Sequence, residues 1–329
     1  MTNSDGPLPP NLTENQHFVA QKIQSLNASP SRNGEISHIH SYSRVGENAI
    51  ARASRNGMPI RHNLALKDLY TFDLTGQMRR NFEALFHRYE SDVPKLTVSL
   101  IEKIRAGRLD LQREILAILS AKFLDFARNP YTIRKCLDTF PPLANHHPTD
   151  RESYNTYRRI WDGHNPRQAR ICELLSVTEE EYRRWLVTLF MLLYPHVGMT
   201  ETFLDQVISG LINNKDNYTS AHVFVFDQPM VLLSDRSFNE VSSSPHLALE
   251  FHASAEMFIT FSSAHLDAMG FPKDRLELFK VTRTPQLEVP IVKNNYELLE
   301  RYNQRSVTQC FKHVYGAGSA FPGVIITGD

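Results

Sequence analysis

Between Arg108 and Pro130 the chain reads RLDLQREILAILSAKFLDFARNP, with Leu109, Ile115, Leu116, Leu119, Phe123 and Phe126 recurring at three- and four-residue steps. That spacing gathers the apolar side chains on one face of a long helix, while Asp110, Arg113, Lys122 and Asp125 fall elsewhere on its surface. Pro130 lacks the N–H that would continue the ladder, so it closes the helix behind Arg128-Asn129. A helix of this kind owes most of its stability to what packs along it, and the chain is expected to build a helical body around it.

The 329 residues suffice for one large core or two fused lobes. Lys plus Arg (36) equals Asp plus Glu (36), so no global field drives the chain onto nucleic acid or anionic lipid, and only local patches remain. Residues 1–150 hold an excess of four positive charges. Cys136, Cys172 and Cys310 are far apart with no C-x-x-C pair, which speaks against a disulfide framework or structural zinc and fits a reducing cytoplasm. The opening MTNSDGPLPPN has no basic or apolar segment of a secretory signal. The longest apolar run, Trp185 to Tyr194, is about half of what a bilayer-spanning helix needs, so no membrane association is expected.

Residues 1–14 are polar and proline-containing and read as a flexible lead-in. Residues 15–218 read as a mainly helical body. Its expected helices lie near 15–26, 78–89, 91–106, 108–130, 149–162, 178–193 and 200–212, the fifth and sixth opening on Thr-x-x-Glu capping boxes. A turn at Ser31–Gly34 and a strand over Glu35–Arg44 interrupt it, and residues 45–63 form a basic stretch with Arg52, Arg55, Arg61 and His62 against the single acid Glu47. Residues 219–329 differ: AHVFVFDQPMVLLSDRS and PHLALEFHASAEMFITFSS give short strands, followed by a helix near 294–314. The expected fold class is α+β, mainly α, a helical body around the long central helix with a small antiparallel sheet in the C-terminal third, packed as one unit.

Chemistry-bearing residues are scattered. His38 and His40 fall on one face of the expected strand, where two histidines can bind a metal, but with no third ligand nearby the spacing favours a solvated or hydrogen-bonded pair. Glu83 and Glu90 are seven residues apart, two turns, so their carboxylates project from nearly one face of a helix. Such a pair can share a metal, divide acid and base roles, or stand solvated. The glycine-rich segment YGAGSAFPGVIITGD has no phosphate-loop spacing, and there is no G-x-S-x-G elbow and no H-E-x-x-H helix.

Several short motifs recur in a characteristic order: Gln16-His17-Phe18-Val19, Leu69-Tyr70 before the helix holding Glu83 and Glu90, Ala127-Arg128-Asn129-Pro130, Ser234-Asp235 after a hydrophobic strand, and Asn294-Asn295 ahead of Val314-Tyr315. Taken together they resemble a widespread, mostly prokaryotic family of unassigned function, domain-of-unknown-function family four-two-three-eight. The chain departs from that pattern at Ala20, Ser237 and His252–Ala255, where members carry proline. The resemblance implies a shared polar site without naming a reaction. Its candidates are His17 as general acid or base, Glu83 and Glu90 as carboxylates that orient water or hold a divalent metal, Arg128 as a stabiliser of developing charge, and Asp235. With the basic stretch, this set suits a hydrolase acting on nucleic acid, of the nuclease-like toxin or antiviral kind. The alternative is a non-catalytic binding or scaffold protein in a complex with protein or nucleic acid, in which the same residues form salt bridges and caps.

Overall fold

A computed structural model of the chain describes residues 8, 10–28, 38–54, 56–75, 78–195, 200–241, 246–270, 272, 276–277, 280, 282, 284 and 286–327. The turn expected at Ser31–Gly34, Arg55 of the basic stretch and most of the expected lead-in lie outside the described residues. Its helices are α1 (Gln21–Gln24), α2 (Glu83–Glu90), α3 (Val93–Arg105), α4 (Gln112–Arg128), α5 (Ile133–Thr139), α6 (Pro141–Asn145), α7 (Arg151–Asp162), α8 (Gln168–Leu175), α9 (Glu179–Leu193), α10 (Phe203–Asn213) and α11 (Tyr296–Gln309). The strands before residue 100 are β1 (Asn15–His17), β2 (His38–Arg44), β3 (Ala49–Arg52), β4 (Met58–Pro59), β5 (Ala65–Lys67), β6 (Asp73–Thr75) and β7 (Met78–Arg80). Later come β8 (Asn217–Val225), β9 (Leu233–Ser234), β10 (Phe238–Glu240), β11 (Leu247–Ser254), β12 (Met257–His265), β13 (Leu287–Glu288), β14 (Ile291–Lys293), β15 (His313–Gly316) and β16 (Ile325–Thr327).

The chain divides into two compact units, each assembled from separate segments: Met1–Val19, Leu64–Ser91 and Phe123–Gln206 in the first, Ala20–Asn63, Asp92–Lys122 and Val207–Asp329 in the second. In the first unit, α5, α6, α7 and α8 all pack on α9. Thr178 and Glu181 close a reciprocal capping box at the start of α9, and every residue from Trp185 to Leu193 is buried. Trp185 Nε1 donates to the Ala127 carbonyl (2.8 Å), and Tyr182 Oη donates to the Leu69 carbonyl (2.7 Å). These aromatics thus fill the core while their polar tips satisfy loop and helix-end carbonyls. The described part of the lead-in is tied down: Asn11 N–H donates to Arg79 O (2.8 Å), and Arg80 Nη1 donates to Leu8 O (3.0 Å).

The second unit contains two six-stranded sheets. One runs β10-β11-β12-β8-β13, with β14 also on β8; its long strands are antiparallel, and β13 and β14 join β8 in parallel. The other runs β16-β3-β2-β15-β9, with β4 also on β2. Leu299 and Tyr302 of α11 enter a cluster with Phe224, Phe226, Val231 and Phe258, while Val307 joins Tyr42, Ile50, Leu232, Val314 and Phe321. One helix therefore contributes to both of these clusters.

These observations correct the expected fold class. Among the described residues the chain is 45 % helical and 23 % strand, and four sheets of two to six strands are spread along it instead of one small sheet in the C-terminal third. The N-terminal strands of two to seven residues carry too little alternation to stand out, and their pairing is set by distant residues: Tyr42 lies opposite Val314, and Ile50 opposite Ile326. The hub of the first unit is α9, not the central helix, whose residues are divided between the two units at Lys122 and Phe123. Among the described residues no helix is long and apolar enough to cross a membrane.

Candidate functional site

Three of the five sequence candidates, Glu83, Glu90 and Arg128, come together in the first unit, with Asp125 and Tyr70 beside them. Arg128 ends α4, and its side chain is 1 % exposed. Its Nη2 donates to Asp125 Oδ1 one turn back (3.0 Å) and meets the carboxylate of Glu90, while its guanidinium carbon lies 5.0 Å from the centre of the Phe86 ring. The Arg128 carbonyl accepts from Tyr70 Oη (2.9 Å). Burial works against the charge on Arg128, but Glu90 and Asp125 hold its pKa above the ordinary guanidinium value.

Helix α2 runs from one candidate carboxyl to the other. At its start Asn81 Oδ1 accepts from Glu83 N–H (3.1 Å), and Asn81 Nδ2 donates to the carbonyls of Asn11 and Thr13 (3.2 Å each). Glu83 Oε1 is buried and has no hydrogen-bond partner among the described residues. Three carboxyls thus share one guanidinium, and Glu83 has no direct bond to it. Burial pushes the Glu83 carboxyl up to about 7, with the Glu90 charge adding to the rise and Arg128 opposing it. Glu90 is raised as well, by burial, against the pull of Arg128. The arrangement can hold and release a proton near neutral pH at Glu83. Arg128 is closed off from solvent, so it braces Glu90 and reaches no ligand.

His17 ends β1 opposite Ala65. Its neighbour Gln16, fully buried, does the local anchoring: its side-chain Oε1 accepts from Tyr70 N–H, and its Nε2 donates to Thr71 Oγ1 and Thr13 O (3.0 Å each). Asp235 belongs to the second unit. There its Oδ1 accepts from Phe311 N–H (2.7 Å) and its Oδ2 from Lys312 and His313 N–H (2.7 and 2.9 Å), which shapes the approach to β15. Burial raises its pKa against those three donors.

Asp125 and Gln16 were not candidates from sequence. Apolar periodicity leaves Asp125 off the buried face of the helix, although its Asp-x-x-Arg spacing to Arg128 is the signal for a same-face ion pair. Among the described residues no group of three or more His, Cys, Asp or Glu is placed to hold a metal ion. His38 and His40 remain a pair on β2. No family model, curated protein or solved structure matches the chain.

Proposed function

We propose that the chain is a hydrolase acting on nucleic acid, in which Glu83 moves the proton and Glu90, clamped by Arg128, sets the charge around it. What supports this reading is Glu83 itself, a carboxyl held at about 7 by burial with an oxygen that no neighbour occupies. General acid–base catalysis is most effective when the group titrates near the working pH. The basic stretch that includes the exposed Arg52, Arg61 and His62, with the positive excess of the N-terminal part, fits a polyanionic substrate, and the cysteine usage fits a cytoplasmic enzyme.

The test is cleavage of mixed RNA and DNA by the parent and by Glu83→Gln protein of matched fold, with and without divalent metals. Loss of a proton-transfer group costs about 10²–10⁴ in rate. Cleavage by the parent that Glu83→Gln lowers by that much supports the proposal, and a parent inactive on every substrate overturns it. A second reading, a non-catalytic binding or scaffold protein, is favoured by one observation: Arg128 is engaged on Glu90, Asp125 and Phe86 and closed to ligands. An inactive parent whose Glu83→Gln form only melts at a higher temperature would favour that reading.

A further inference from the structure

In the first unit a cavity of about 210 Å³ is lined by Leu66, Lys67, Arg167, Arg170, Ile171 and Leu174, three cations and three aliphatic residues with no acid. The wall behind it is built on Asp68, which is wholly buried and sits at φ +61°, where a non-glycine residue is uncommon. Asp68 Oδ1 accepts from Arg79 Nε (2.7 Å), and its Oδ2 meets Arg167 Nε (2.9 Å). Its backbone is fixed too, by N–H donation to Glu14 O (2.8 Å) and by Asn165 Nδ2, which donates to its carbonyl (3.0 Å). Glu14 meets Lys67 and Arg79, so Lys67, Arg79 and Arg167 share two carboxylates. Arg170, exposed on α8, has no acidic partner among the described residues.

With Arg170 added, four cations face two carboxylates, and two positive charges are left uncompensated beside an aliphatic surface. A carboxylate would neutralise one of them. A phosphate monoester, with a charge of about −1.5 to −2 at neutral pH, matches both, and guanidinium groups bind its oxygens in pairs. The cavity is smaller than the roughly 300–1,000 Å³ that encloses a whole small ligand, so it holds one end of a molecule. We propose that this cavity binds the terminal phosphate of a nucleotide or of a nucleic-acid strand, with the adjoining sugar or base against Leu66, Ile171 and Leu174. Buried Asp68 keeps Arg167 aimed at the site, and Arg170 closes on the phosphate from α8.

The inference stands apart from the hydrolytic reading, because binding is measured directly and no cleavage is required. Calorimetric titration of the full chain would use adenosine 5′-monophosphate, a short oligodeoxynucleotide with and without a 5′-phosphate, and hexanoate. Arg170→Ala and Arg170→Lys are the variants, since an exposed side chain with no acidic partner can be replaced without unfolding the chain. The expected result is binding of the phosphorylated probes, weakened about tenfold or more by Arg170→Ala and partly restored by Arg170→Lys, with hexanoate and the unphosphorylated strand far weaker. Binding of the mononucleotide as tight as that of the phosphorylated strand assigns the site to free nucleotides, and binding of the strand alone assigns it to strand ends. Equal binding of the two oligonucleotides, no binding of either phosphorylated probe, or equal affinity of parent and Arg170→Ala would overturn it.

Discussion

Glu83 holds its proton more tightly in the folded chain than in the unfolded one, and that difference has a sign. Between the ordinary value of 4.5 and the folded value of about 7 the folded state carries the extra proton. Stability is therefore highest at the acid end of this window and falls as pH rises through about 7, by at most about 3 kcal/mol for this group. Glu90 and Asp235, also raised by burial, slope the same way, so the diagnostic is the difference between parent and Glu83→Gln. Urea denaturation at pH 5 and pH 8 is expected to show a smaller loss in the variant, which has no proton to give up at that position. Identical losses would mean that another residue carries the titration. At this scale the sequence was legible where partners are local. The two-turn spacing of Glu83 and Glu90 and the helix stop behind Arg128 point to an ion pair that does form, Arg128 with Glu90, and to Glu83 within electrostatic reach of both. The Asp68 network was not legible, because Glu14, Arg79 and Arg167 come from three distant segments and only the fold unites them.

Among elements, the apolar periodicity of α4 agrees with burial at Ile115, Leu119, Phe123 and Phe126, while Leu116 is half-buried. It fails ahead of the helix and in the helix's second half. Leu109 precedes the helix and is 85 % exposed, whereas Lys122 and Asp125, expected on the polar side, are 1 % exposed. Periodicity identifies the face an isolated helix would bury; it cannot identify a second face, which burial in two units demands. The capping box of α9 formed as read, but at α7 the cap is Asp150, which accepts from Ser153 N–H (2.8 Å), not Thr149. The junction after α7 offers a sharper test. A Cβ at Gly163 would stand 2.0 Å from Phe72 O and 2.4 Å from Arg159 O, so the backbone itself would have to move. Gly163→Ala is expected to cost about 1–3 kcal/mol, read as a lowered melting temperature. An unchanged melting temperature would show that the loop beside Phe72 yields freely.

For the whole molecule, the unit assignments cut across chain order, which no local sequence pattern announces. Residues 38–59 resemble a short strand and a basic loop because β2 and β3 find their outer partners in β15 and β16, about 270 residues on. Removing residues 313–327 is expected to take β15 from β2 and β16 from β3 and to make the segment 38–62 a site of rapid limited proteolysis, which the intact chain resists. Equal resistance in both would contradict the pairing. The same topology sets a schedule for synthesis. His313 reaches Ser43 across a separation of 270 residues. At ~5–20 residues per second of translation, β2 leaves the ribosome on the order of 15–50 s before β15 exists. For that interval the edge of β2 that takes β15 is bare, and a cell making this chain quickly needs something to cover it.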